Sequence, residues 1–112
     1  MLSAIALTIA LSANIAVADM PYQYIGTFEC TAYAEDTITA TGTVPRHMKT
    51  VAVDPNVIPY GTRLYIADLD IYVTAEDCGG AVKGNVIDIF MDGSEADTAT
   101  FGRQVHKVYE VR

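Results

Sequence analysis

The chain has no tryptophan, and only two cysteines and four prolines among its 112 residues. Positive charge is also scarce, with 7 lysines and arginines against 14 aspartates and glutamates, for a formal net charge of −7. Nucleic acid and anionic lipid both select basic surfaces, so no nucleic-acid partner is expected. The two cysteines lack CxxC spacing and the two histidines are scattered, so no metal site is expected, nor any other cofactor. There is no phosphate loop, no HExxH and no serine–histidine–aspartate order. His47 and His106 lack neighbours of catalytic type in the sequence and read as surface or packing residues.

No charge appears before Asp19. Residues 1–18 form an apolar run ending in Ala16-Val17-Ala18, the pattern of a signal peptide with an A-x-A cleavage site, although no Lys or Arg precedes it. Such a run is marginal for crossing a ~30 Å hydrocarbon core, so no stable membrane span is expected once it is removed. The expectation is export to the periplasm, cell wall or extracellular space of a monomeric domain, residues 19–112. A domain of that size buries only ~60–65% of its unfolded surface, so its stability margin is thin. In an oxidising compartment Cys30 and Cys78 are expected to pair, closing a loop of 78 − 30 = 48 residues. A loop of that size is worth ~4 kcal/mol in the chain-entropy picture.

What the sequence does hold is strand signal. From Gly26 to Tyr33, Gly26, Phe28, Cys30 and Ala32 alternate with Thr27, Glu29, Thr31 and Tyr33, the period of a half-buried strand. A threonine-rich segment, Glu35 to Lys49, reads as loop. Short β-branched runs follow at Thr50–Val53, Thr62–Ile66, Ile71–Ala75, Val86–Phe90 and Gln104–Val111, separated by proline, glycine and Asp-rich turns. One helical turn is predicted from Ser94 to Phe101, with Ser94 and Asp97 in capping-box positions and Gly102 at its end. Six short strands in under 100 residues predict an all-β, small six-stranded barrel with one short helix, since closure removes exposed edges.

The chemistry concentrates in AEDCGGAVKGNVIDIFMDG, Ala75 to Gly93. Asp77 ends one strand, Asp88 lies inside another, and a glycine turn carrying Gly79, Gly80 and Lys83 separates them. Val86, Asp88 and Phe90 share one strand face and Ile87 and Ile89 the other. Asp88 is therefore either a solvent-facing residue or a carboxyl in apolar surroundings, where burial would raise its pKa toward that of a general acid. Lys83 reads either as a charge set beside a carboxylate or as a hairpin lysine in solvent. Asp54, before Pro55, reads as a turn initiator. The seven tyrosines are able to stack on sugar faces, though strand tyrosines are more often packed.

Six motifs in order carry a resemblance. They are Thr41-Gly42-Thr43-Val44-Pro45, Val51-Ala52-Val53-Asp54-Pro55, Ile58-Pro59-Tyr60-Gly61-Thr62, Asp77-Cys78-Gly79-Gly80-Ala81-Val82-Lys83-Gly84, Ile87-Asp88-Ile89-Phe90 and Phe101-Gly102-Arg103. Together they resemble the three-aspartate (3D) domain family, to which the catalytic barrel of membrane-bound lytic murein transglycosylase A and small stationary-phase survival proteins belong. The resemblance implies a double-psi β-barrel acting on peptidoglycan glycan strands. The three aspartates would be Asp54, Asp77 and Asp88, with Asp88 as catalytic acid and base, Asp77 beside it, and Lys83, Asp54, Gly79 and Gly80 binding substrate. The departures are Cys78 where Thr is usual, Val82 where Ile is usual and Tyr60 where Leu is usual. The activity implied is that of a lytic transglycosylase cleaving the MurNAc–GlcNAc β-1,4 bond. Its rivals are a hydrolase using Asp77 and Asp88 as a pair, and a wall-binding module whose aspartates are structural.

Overall fold

The computed structural model describes residues 21–112, so the expected signal segment, residues 1–18, lies outside the described residues. Six strands form: β1 (Tyr22–Tyr33), β2 (Thr50–Ala52), β3 (Arg63–Ile66), β4 (Ile71–Asp77), β5 (Val86–Phe90) and β6 (Gln104–Val111). A 3-10 turn at Ala67–Leu69 joins β3 to β4, and helix α1 (Glu95–Phe101) precedes β6. The strands close into a barrel in the order β1-β5-β2-β4-β3-β6. Two pairings are parallel, β1 with β5 and β2 with β4, and the others are antiparallel. The fold class is the one expected, a closed six-stranded mixed barrel with one short helix.

Alternation builds the core. Phe28 and Cys30 of β1, Leu64 and Ile66 of β3, Val73 and Ala75 of β4, Ile87 and Ile89 of β5, and Val108 of β6 turn inward and are buried together. Val51 and Val53 flank Ala52, so the valines enter the core while Ala52 turns to the other face. Ile58 reaches the core from the loop after β2. The α1 capping box forms as the sequence predicts: Ser94 Oγ accepts from Asp97 N–H, and Asp97 accepts from Ser94 N–H.

Two bulges interrupt the alternation. Between β1 and β6 the register slips between Tyr24 and Gly26, so Ile25 is an extra residue beside Gly26, whose φ of +133° few other residues adopt. Between β2 and β4, Val51 pairs with Ala75 but the next residue, Ala52, pairs with Asp77, which leaves Glu76 unpaired. A bulge swaps the face of every residue beyond it.

The loop between β1 and β2 packs over the second bulge. Thr41 donates through both its N–H and its hydroxyl to the Glu76 carbonyl, at 3.2 and 2.8 Å. The Thr50 hydroxyl donates to the Glu76 carboxylate at 2.8 Å. The carbonyl that the bulge removes from the ladder is thus satisfied by the loop.

Candidate active site

Ala52 is the centre of the site. In β2 it pairs with Asp77 of β4 on one side and with Asp88 of β5 on the other. Paired residues share a face, so both aspartates flank one small side chain, with Cα atoms about two strand spacings, ~10 Å, apart. The bulge at Glu76 makes this possible. Unbroken alternation from Val73 and Ala75 would turn Asp77 into the apolar core; the extra residue turns it out beside Ala52.

A cavity of about 400 Å³ lies over this point, lined among others by Ala52, Asp77, Asp88, Tyr33, Asp36 and Gly79. Tyr33 and Ala34 also line a second cavity, of about 630 Å³, between the end of β1 and α1, with Thr31, Thr98 and Arg103. The two cavities share Tyr33 and Ala34, and together they make up the groove. The Tyr33 ring is held edge-on against Phe90 at 5.5 Å.

The two aspartates have different environments. Asp77 is buried and takes three donors: the Tyr33 hydroxyl at 2.8 Å on Oδ2, and the N–H groups of Ala40 at 2.9 Å and Cys78 at 3.0 Å on Oδ1. Burial opposes its charge, but these hydrogen bonds together with one from Asp36 outweigh burial and hold its pKa below the usual carboxylate value. Asp36 takes the opposite course, its pKa raised by desolvation and by its contact with the Asp77 carboxylate. Tyr33 is likewise raised, by burial and by donating to Asp77, so it remains a neutral donor.

Asp88 is half-buried and accepts from the Thr31 hydroxyl at 2.9 Å, its register partner across the parallel β1–β5 pair. Burial raises its pKa, and the Asp77 charge raises it further, against the lowering effects of Thr31 and Arg103. Arg103 is ion-paired with Glu29. The groove therefore sets a firmly ionised, saturated carboxylate near one that holds its proton more readily, the pairing from which acid–base chemistry is built.

Of the other residues singled out in the sequence, Gly79 lines the cavity with the aspartates, whereas Gly80, Lys83 and Asp54 do not. Asp54 is buried and accepts from Asn56 N–H at 3.0 Å and Gly84 N–H at 2.9 Å. Those bonds depress its pKa and tie the end of β2 to the glycine turn. Lys83 is exposed and its charge acts on Asp54. The glycine turn is not a hairpin, since β2 lies between β4 and β5.

The expected Cys30–Cys78 disulfide is not formed, and both are free thiols. Cys30 points into the core and donates to the Phe28 carbonyl at 3.7 Å, whereas Cys78 follows Asp77 onto the exposed rim of the groove. Burial, then the Glu29 charge, push the Cys30 thiol up to about 11. Among the described residues no group of three or more His, Cys, Asp and Glu is placed to hold a metal ion, and no helix is long and apolar enough to cross a membrane. Sequence reasoning missed Thr31, Tyr33, Asp36 and Ala52 as site residues. Thr31 and Tyr33 stood on the polar face of the first predicted strand, and only its parallel pairing with β5 shows what they face.

The family model of the 3D domain matches residues 49–111. Among curated proteins, the cell wall-binding protein YocH of Bacillus subtilis (strain 168) is 44% identical over 68 residues, 58% of this chain and 23% of YocH. Among solved structures, the lytic transglycosylase MltA from Escherichia coli superposes with a TM-score of 0.57 at 26% identity, over 70% of this chain and 28% of MltA. The lytic transglycosylase LtgG of Burkholderia pseudomallei follows with a TM-score of 0.51 at 27% identity, over 65% of this chain and 25% of LtgG. The chain thus spans about a quarter of the length of each of these proteins.

Proposed function

From the premise that the chain belongs to the 3D-domain family, we propose that it is a cell-wall lytic transglycosylase that cuts the MurNAc–GlcNAc β-1,4 bond and leaves 1,6-anhydro-MurNAc ends. The observation that carries this reading is the inequality of the two groove aspartates. Asp77 already takes three donors, while Asp88 takes the Thr31 hydroxyl and is pushed toward its protonated form by burial. Similarity to the MltA and LtgG barrels supports it.

In this mechanism neutral Asp88 protonates the glycosidic oxygen as the C1–O bond breaks. The same carboxylate then takes the proton of the MurNAc C6 hydroxyl as that oxygen bonds to C1. Because the nucleophile belongs to the substrate, no second carboxylate has to activate water, unlike a two-carboxylate hydrolase. Asp77 positions the Tyr33 hydroxyl and the Ala40 loop at the groove. Gly79 lets the strand approach the backbone, and Lys83, Gly80 and the turn held by Asp54 meet it outside the cavity. The site of action is the cell wall.

The test is mass spectrometry of muropeptides released from purified sacculi. Anhydro ends support the reading, and reducing ends transfer it to a hydrolase. A second reading, a binding module without turnover, is favoured by the relative named a cell wall-binding protein. Sedimentation with sacculi and no released muropeptide would establish that one instead.

A further inference from the structure

On the outer face of the barrel, four of the seven tyrosines follow one another across neighbouring strands as two stacked pairs, with Tyr65 itself buried beneath Tyr22. Tyr72 of β4 pairs with Tyr65 of β3, Tyr65 with Tyr109 of β6, and Tyr109 with Tyr24 of β1. Ring centroids are 4.6 Å apart for Tyr65–Tyr72 and 5.4 Å for Tyr24–Tyr109. Tyr22 packs over Tyr65 at 5.4 Å, and its hydroxyl meets that of Tyr72 at 2.6 Å. The row crosses three strand spacings, ~14 Å. Its two ends are open, Tyr24 at 51% and Tyr72 at 43% exposure. The bulge at Ile25 creates it, because unbroken alternation would put Tyr24 on the inward face with Phe28 and Cys30.

Beside the Tyr72 end lies a cavity of about 290 Å³ edged by His47, Lys49 and Asp70. His47 accepts Asp92 N–H on Nδ1 at 2.9 Å, so its Nε2–H is left to donate outward. Asp70 receives the Tyr65 hydroxyl at 2.7 Å. Aromatic faces beside hydrogen-bond donors and an acceptor match a sugar ring, with its apolar face and hydroxyl edge, better than a lipid chain. The row itself holds no charged side chain, and the net charge of −7 repels a polyanion.

We propose that this tyrosine row is a second glycan-binding surface, holding a neighbouring wall strand while the groove works on another. The proposal rests on the cell-wall reading above. The row and the groove occupy opposite ends of the same two strands. Tyr72 and Asp77 are ~17 Å apart along β4, and Tyr24 and Tyr33 ~30 Å apart along β1. Two contacts on one rigid barrel raise affinity for a many-stranded wall without raising it for a single short strand.

The test is co-sedimentation with sacculi stripped of teichoic acid, all proteins carrying Asp88→Asn so that no strand is cut. Tyr24→Ser with Tyr72→Ser should weaken binding about tenfold, while Tyr24→Phe with Tyr72→Phe keeps it. In a separate assay with Asp88 restored, the serine pair should leave release from short soluble glycan strands unchanged. If the serine pair does not melt cooperatively, Tyr24→Ser alone is read, with about threefold weakening expected. Unchanged sedimentation of a cooperatively melting serine variant overturns the proposal. Binding that needs teichoic acid, or a dimer that the serine pair dissociates, also overturns it. Failure of muropeptide release by the parent protein bears on the groove alone, since sedimentation does not depend on cutting.

Discussion

Replacing Asp88 by Asn isolates the proton from everything else the side chain does. Asparagine keeps Oδ1, so the 2.9 Å bond from Thr31 survives, and the backbone pairing with Ala52 is untouched. What is lost is the ability to give a proton and take one back in the same cycle. General acid–base catalysis contributes ~10²–10⁴-fold, so release of anhydro-muropeptides from sacculi should fall by at least 100-fold. Stability should move the other way. Burial raises the folded-state pKa of Asp88 above its unfolded value, ~3.9. The wild-type barrel is therefore relatively favoured below that pH and penalised as pH rises through the folded pKa, where the charge must form in the groove. The variant escapes the penalty. Its melting temperature should match wild type near pH 3 and exceed it at pH 7, by ~4–8 °C for each kcal/mol relieved. A variant that keeps wild-type release refutes Asp88 as the acid. A stability gap that widens toward low pH refutes the burial argument itself.

Asp77→Asn should behave oppositely in stability. The folded-state pKa of Asp77 is depressed, so its contribution is present above ~pH 4 and lost as pH falls, and the variant should melt lower at pH 7 by the equivalent of ~1–3 kcal/mol, the gap closing on acidification. Circular dichroism melts across pH check this, and an unchanged melt at pH 7 would mean the three donors are satisfied elsewhere. For the thiols, titration of the native protein with an aromatic disulfide reagent should show Cys78 reacting at once and Cys30 only on unfolding, with no mass change on reduction. Two fast thiols would contradict the placement of Cys30 in the core, and none would contradict the exposure of Cys78. Lys83→Ala should leave the melt within ~0.5 kcal/mol and raise the concentration of glycan strands needed for half-maximal release without lowering the limiting rate. A fall in the limiting rate alone would put Lys83 in the chemistry.

Alternation in the sequence was enough to find the inward residues of the barrel, because Phe28, Cys30, Ile87 and Ile89 obey it without interruption. The cap of α1 was legible for the same reason, since Ser94 and Asp97 act within one turn. The features that escaped depend on register. Tyr22 to Ile25 did not read as strand because the bulge at Ile25 breaks the period there, and Tyr24 and Phe28 share parity yet face opposite ways. Nothing local announces that Glu76 is an extra residue, so the outward turn of Asp77 was hidden even though Asp77 itself was not. Thr31 meets Asp88 across 57 positions of sequence, through a parallel pairing that no turn between them encodes. The disulfide expectation failed on geometry of the same kind: alternation put Cys30 inside, but Cys78 sits beyond the bulge, on the rim.

The barrel closes between its first and last strands, and Arg112 N–H donates to the Pro21 carbonyl at 3.0 Å. The described chain therefore arrives and departs at neighbouring points on one side of the molecule. A domain wired in this way can be spliced into a host polypeptide at a single surface position without pulling the host's flanking segments apart. The matched region amounts to about a quarter of YocH, MltA and LtgG, three proteins otherwise much longer than it. Portability of this sort is a property of the seam where β1 meets β6, at the Tyr22 end of β1, while the groove lies at the Tyr33 end of the same strand.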